Sequence, residues 1–335
     1  MLFKKYNKCI YCNSSSLIRE KTQYSKYNFY TEAIRNDLEI SKKKFKELKV
    51  FRCKNCKNYQ NNPWFSENYA KKIYSNIYGQ HNRNWSNIIN FFQKGKVPDH
   101  GKLFEILNNN IKIKNYAEYN SPFMGLMINL FEREYKKNLS FYKNIFNNTL
   151  YYLSSRQHAG KNALKIKLHS QKAKKFLSNC KNLKKNFLIK KKVNKYLFVD
   201  NSSLCWGQND NYKSVNSKSL GSELLEMEII NLNLEKIKTK FDLFGIFHTL
   251  DHTFEPNKVL NFALNSSKYV IVYCHIDKRL EKQHLFSFSR DFLKFLNKKK
   301  IYTFDITNLI DKSFYTPEMY FLCSKNKTLI ERIKI

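Results

Sequence analysis

Apolar positions along the chain fall into two kinds of run. "KFDLFGIFHTL" (Lys240–Leu250) is almost unbroken, the pattern of a strand buried on both faces. "IKIKNYAEY", "KYLFVD", "KYVIVYCHI", "IYTFDITNL" and "EMYFLCSKN" are further strand-length runs. Between them, "GLMINLFEREYKK", "PNKVLNFALNSS" and "SRDFLKFLNKKK" repeat apolar residues at helical spacing, and "SLGSELLEMEIINL" predicts a helix leading into a short strand. Alternating strands and helices predict an α/β fold with a doubly wound, mostly parallel sheet, whose ligands lie at the carboxyl ends of the strands.

The N-terminal region has another rhythm. "NYQNNPWFSENYAKKIYSNIYGQHN" carries an Asn-Pro turn, Ser66 as a helix N-cap and a helical repeat after it. This divides the chain into a small domain, residues 1–75, and a large one, residues 76–335, with a Lys-rich helical insertion around 136–195.

Eight cysteines then give the small domain a chemistry. Four form two Cys-x-x-Cys pairs, Cys9 with Cys12 and Cys53 with Cys56, and four are scattered. Two thiolate pairs are how a tetrahedral zinc ion is gripped from two sides, and four sulfurs leave no open position for catalysis. A structural zinc site is expected there. The 40 residues between the pairs must form a hairpin or helix of their own.

With 335 residues, 42% of them apolar and 16% aromatic, the chain suits a packed core and excludes a disordered one. No apolar run approaches the roughly 18 residues of a membrane span. "MLFKKYNKCIYC" lacks the apolar stretch of a secretory signal, so a cytoplasmic location is expected. The net charge is +34. Seventeen positive charges lie between Lys136 and Lys195, with no Asp or Glu from Tyr135 to Val199. Within that block Phe176, Leu177, Cys180, Leu183 and Phe187 fall at helical spacing, leaving lysines on the other faces. Such a segment can hold nucleic acid, lie on an anionic surface or form a solvated cap. Its thin aromatic content argues against stacking of single strands, and any nucleic-acid binding is expected to be sequence-indifferent and steeply salt-dependent.

The order of motifs carries a resemblance. "FDLFGIFHTLDHTFEPNKVLN" resembles the signature of class I S-adenosylmethionine (SAM)-dependent methyltransferases, and "QHLFSFSRDFLKFLNKK" the His-x-x-x-Phe-Ser helix that follows the next strand in them. With paired Cys-x-x-Cys motifs in front, the chain is similar to sugar C-methyltransferases that act on nucleotide-linked deoxysugars. The resemblance implies a Rossmann-like methyltransferase sheet with SAM as cofactor and zinc in the N-terminal domain. The substrate it implies is a small molecule, a sugar nucleotide.

It also implies roles for particular residues. Glu118 would end the first strand, Asn120 to Met124 would form the cofactor turn, and Gly125 would be that turn's last glycine. Asp200 would face the ribose hydroxyls. His252 would contact substrate, with Asp251 where the family has Glu, and His284 would be the base that removes a proton beside a carbonyl. A metal reading of His248 and His252 with Asp251 is the alternative for that stretch. "YNSPFMG" (Tyr119–Gly125) is also distantly like the Asn-Pro-Pro-aromatic motif of base-modifying methyltransferases. That reading requires Pro at Ser121 and a Gly-rich loop elsewhere, which the eight glycines do not form. A catalytically inactive relative that binds a polyanion, and an RNA methyltransferase, are the other two functional readings.

Overall fold

The computed structural model describes residues 1–21, 39–72, 100–120, 195–200, 224–226, 240–247, 250–276, 284–310 and 318–334. The N-terminal strands are β1 (Phe3–Lys4), β2 (Leu17–Arg19), β3 (Val50–Cys53), β4 (Tyr59–Asn61) and β5 (Trp64–Phe65), with the short helix α1 (Lys42–Phe45) before β3 and α2 (Glu67–Lys72) after β5. Helix α3 (His100–Ile111) leads into β6 (Asn115–Asn120), followed by β7 (Lys195–Asp200), β8 (Leu224–Glu226) and β9 (Phe241–Phe247). A 3-10 turn (Leu250–His252) and α4 (Pro256–Ser266) connect β9 to β10 (Ser267–His275). The chain closes with β11 (Phe286–Ser287), α5 (Asp291–Lys298), β12 (Tyr302–Asp305), β13 (Glu318–Ser324) and α6 (Lys327–Glu331).

The protein is mixed α/β. Seven strands form one sheet in the order β12-β13-β10-β9-β6-β7-β8. Neighbours from β10 to β8 are parallel, and β13 runs antiparallel to both β10 and β12. The side chains of β10 alternate between two cores. Val270, Val272 and Cys274 join one with α4 and α5, whereas Tyr269, Ile271 and Tyr273 join the other with α3 and α6. A strand covered on both sides has no polar face to keep, which is why "YVIVYC" reads as a continuous apolar run. Gly245, mid-strand in β9, makes room for a neighbour. A Cβ there would meet the Phe247 ring and lie 2.9 Å from the Tyr116 hydroxyl. Among the described residues no helix is long and apolar enough to cross a membrane.

A second sheet, β11-β4-β3-β2, joins the two ends of the sequence, because β11 pairs with β4. Tyr11, Trp64 and Phe65 share one core with Phe286, Phe288 and Phe292. In the stretch from Ser219 to Leu232, where the pattern predicts a helix and a short strand, the described strand is Leu224–Glu226, whose backbone pairs with β7. Phe286 and Ser287, ahead of the expected helix, pair with Tyr59 and Gln60, and the helix begins at Asp291. Ser66 stands just before α2, its carbonyl accepting the Ala70 amide (2.9 Å), while its hydroxyl donates to the Met1 carbonyl at 2.8 Å.

Asp242 ties three strand starts together. Its carboxylate accepts the amides of Lys114 (3.0 Å) and Asn115 (2.9 Å) and the Lys268 ammonium (2.8 Å). Burial pushes this carboxyl up, but the Lys268 hydrogen bond and the two amides outweigh it and hold it below the usual range. A carboxyl held low in the folded state adds stability above its unfolded value, about 3.9, and that stability is lost as pH falls through the lower folded value. Acidification below about pH 4 is therefore expected to lower the urea midpoint. Asp242→Asn should flatten that dependence and cost about 1–2 kcal/mol at neutral pH. Urea titrations across this range check it, and an unchanged acid limb in the variant would reject the assignment.

Candidate functional site

The first candidate site is built from two loops of the same design. In one, the Cys9 amide donates to the Ser14 carbonyl (2.8 Å) and the Asn13 amide to the Cys9 carbonyl (2.9 Å). In the other, the Cys53 amide donates to Asn58 (2.9 Å) and the Lys57 amide to Cys53 (3.0 Å). Each turn closes through a left-handed residue, Asn13 at φ 56° and Lys57 at φ 65°. Asn tolerates that region, whereas Lys adopts it at a cost. Gln60 of β4 braces the first loop, accepting from the Ile10 amide (3.0 Å) and donating to the Lys8 carbonyl (3.4 Å). Pairing of Leu17 with Cys53 across β2 and β3 sets the two loops side by side.

The four thiols consequently converge. Cys9 Sγ lies 3.5 Å from Cys56 Sγ, and Cys12 Sγ lies 3.6 Å from Cys53 Sγ. A tetrahedral ion with Zn–S bonds of about 2.3 Å holds its sulfurs about 3.8 Å apart, so the cluster is able to bind a metal such as zinc. Cys9, Cys53 and Cys56 are buried, and Cys12 is half-buried. Hydrogen bonds from Cys56 and Cys9 hold the Cys12 thiol well below its ordinary value, and sharing with Cys12 raises those two. A metal binding there displaces the protons that the four sulfurs share. Asn55 Nδ2, 3.6 Å from Cys12 Sγ, adds a donor to the most exposed sulfur.

The second candidate lies at the carboxyl edge of the parallel strands. Strand order reverses between β6 and β9, the point of a parallel sheet at whose carboxyl side ligands commonly bind. Glu118 and Asn120 stand at the carboxyl end of β6, and Asp200 ends β7 as the register partner of Asn120. Gly125 lies outside the described residues, as do His248 and the Lys-rich block up to 194. His252 follows β9 in the 3-10 turn.

His284 arrives at this edge from another direction. Asn61 of β4 donates its amide side chain to the His284 carbonyl (2.7 Å) and its backbone amide to Leu285 (3.0 Å). The Phe288 amide then donates to the carbonyl of His275, at 3.1 Å. These bonds bring the buried His284 ring to 5.0 Å from the His275 ring, at 30° to it. His275, the last residue of β10, places Nδ1 2.6 Å from Oδ2 of Asp251, whose side chain is fully enclosed. One donor atom from each of Asp251, His275 and His284 lies within 4.8 Å of the others.

Asp251 thus engages an imidazole from the next strand. His275 did not stand out in the sequence, although an imidazole closing a central parallel strand sits where ligands bind. His100 was equally silent. It is buried at the start of α3, with Nε2 2.9 Å from the Tyr320 hydroxyl. No protein-family model matches this chain, and no curated protein matches it either.

Proposed function

We propose that this chain is a SAM-dependent methyltransferase-like protein with a Rossmann-like, doubly wound sheet and a structural zinc ion on Cys9, Cys12, Cys53 and Cys56. Its acceptor is a small metabolite, with a nucleotide-linked sugar as the favoured class. The observation that carries this reading is the strand order. Numbered along the chain from β6, the seven strands run third, second, first, fourth, fifth, seventh, sixth, and the first five follow the doubly wound order. That order puts Glu118, Asn120 and Asp200 at adjacent carboxyl ends, the positions from which the resemblance expects the cofactor to be held. Two carboxylate oxygens suit a ribose cis-diol.

SAM supplies an electrophilic methyl group. Methylation at carbon also needs a proton removed beside a carbonyl, and imidazoles suit that task near neutral pH. The resemblance gives that task to His284 and a substrate contact to His252, and His275 lies beside His284 at this edge. Calorimetry of the purified chain with SAM tests the reading. Weak binding is expected, with a Kd under about 1 mM, and Asp200→Ala should weaken it about tenfold, or roughly 1.4 kcal/mol. No binding by the wild type at about 1 mM SAM would overturn the enzyme reading.

A further inference from the structure

We propose that Asp251, His275 and His284 form a second metal site, distinct from the four cysteines, which takes a divalent first-row transition ion and keeps an open coordination position. The three residues come from three elements: the turn after β9, the end of β10 and the segment entering β11. Their donor atoms lie within 4.8 Å of one another. Hydrogen bonding between Asp251 and His275 alone would account for two of the groups. The third is delivered by the Cys-bearing sheet, through Asn61 and the pairing of β11 with β4.

The donor chemistry names the class of ion. Two imidazoles and one carboxylate are a set used by catalytic zinc and non-haem iron, and three protein ligands leave room for water or substrate. The enclosed Asp251 carboxylate is the hard, anionic ligand, and a cation beside it offsets the cost of burying its charge. His275, with 21% of its side chain exposed, marks the side from which an ion and a small molecule enter. On metal binding the proton shared at 2.6 Å leaves, and the two atoms separate to about 3 Å, the spacing that metal–ligand bonds of about 2.0–2.2 Å require. An ion here would polarise an acceptor's carbonyl or hydroxyl oxygen, and with His275 and His284 as ligands the proton beside that carbonyl would pass to water or hydroxide at the open position.

Cobalt titration of the tag-free, metal-stripped full-length chain tests this. Two Co2+ ions per chain are expected. The first brings intense thiolate-to-cobalt absorption, and the second adds only weak visible bands together with hyperfine-shifted imidazole N–H resonances from two histidines. His275→Ala and Asp251→Asn should each lower affinity for the second ion at least about 100-fold while leaving the thiolate absorption intact, which reports a folded cysteine site. Saturation of the wild type at one ion per chain would overturn the proposal, as would a second ion held equally well by both variants. Because the imidazole resonances are read on the wild type, a variant that misfolds does not remove the decision. The measurement concerns metal alone, so its failure leaves the SAM reading standing, and the reverse holds too.

Discussion

Cys53→Ser is expected to remove about one equivalent of zinc and to cost the chain at least about 3 kcal/mol. The size of the effect follows from what the site connects. Cys53 ends β3, is buried, and pairs across the sheet with Leu17, so it fixes one loop against the other. Serine keeps the shape but offers a hydroxyl, a far poorer zinc ligand than a thiolate, and three sulfurs remain around a shell built for four. Binding free energy in such a site is largely folding free energy, so losing the ion loosens both loops together. Elemental analysis and denaturant titration of wild type and variant decide the matter. Equal zinc content, or coincident unfolding curves, would sink the assignment.

Phe292→Ala should destabilise the protein by about 3–5 kcal/mol without removing the cysteine-bound metal. Phe292 lies in the first turn of α5 and is fully buried. Its ring meets Tyr11 edge-on at 4.7 Å, Phe288 at 5.0 Å and Phe295 at 6.0 Å, and it reaches Phe321 of β13 at 6.5 Å. Tyr11 belongs to the Cys9–Cys12 loop, so this one ring packs the cysteine loops onto the large sheet. Truncation removes the apolar contact and leaves a cavity that aromatic neighbours on rigid elements fill poorly. Tyr11→Leu combined with Phe292→Ala should cost less than the sum of the two single changes, because both delete the same contact. Strict additivity, or a loss under about 1 kcal/mol for Phe292→Ala alone, would contradict this packing.

Much of the architecture was written locally. The runs that became β9, β10 and β13 are strand-length and apolar, and burial on both faces of a central sheet demands such runs. Helices α4 and α5 announce themselves by period, since each lays one apolar stripe on the sheet. The four cysteines were legible for the same reason: a Cys-x-x-Cys turn is a short-range device, and two of them need only be brought together. The sequence by itself therefore determined the long elements, their alternation and the donor set of the cysteine cluster.

Tertiary structure decided what depends on a distant partner. A three-residue strand such as β8, or a two-residue one such as β11, has too few positions to show a period. It exists because another backbone offers it hydrogen bonds. The antiparallel β13 between β10 and β12 is a matter of sheet order, which apolar runs do not encode. The same holds for Asp251, His275 and His284. They are separated by 24 and 9 positions along the chain, and only the parallel pairing of β9 with β10 and the β11–β4 bond bring them to one edge. Local pattern fixes which segments are buried, because burial is a property of each residue. Pairing fixes which side chains meet, because it is a property of two segments at once.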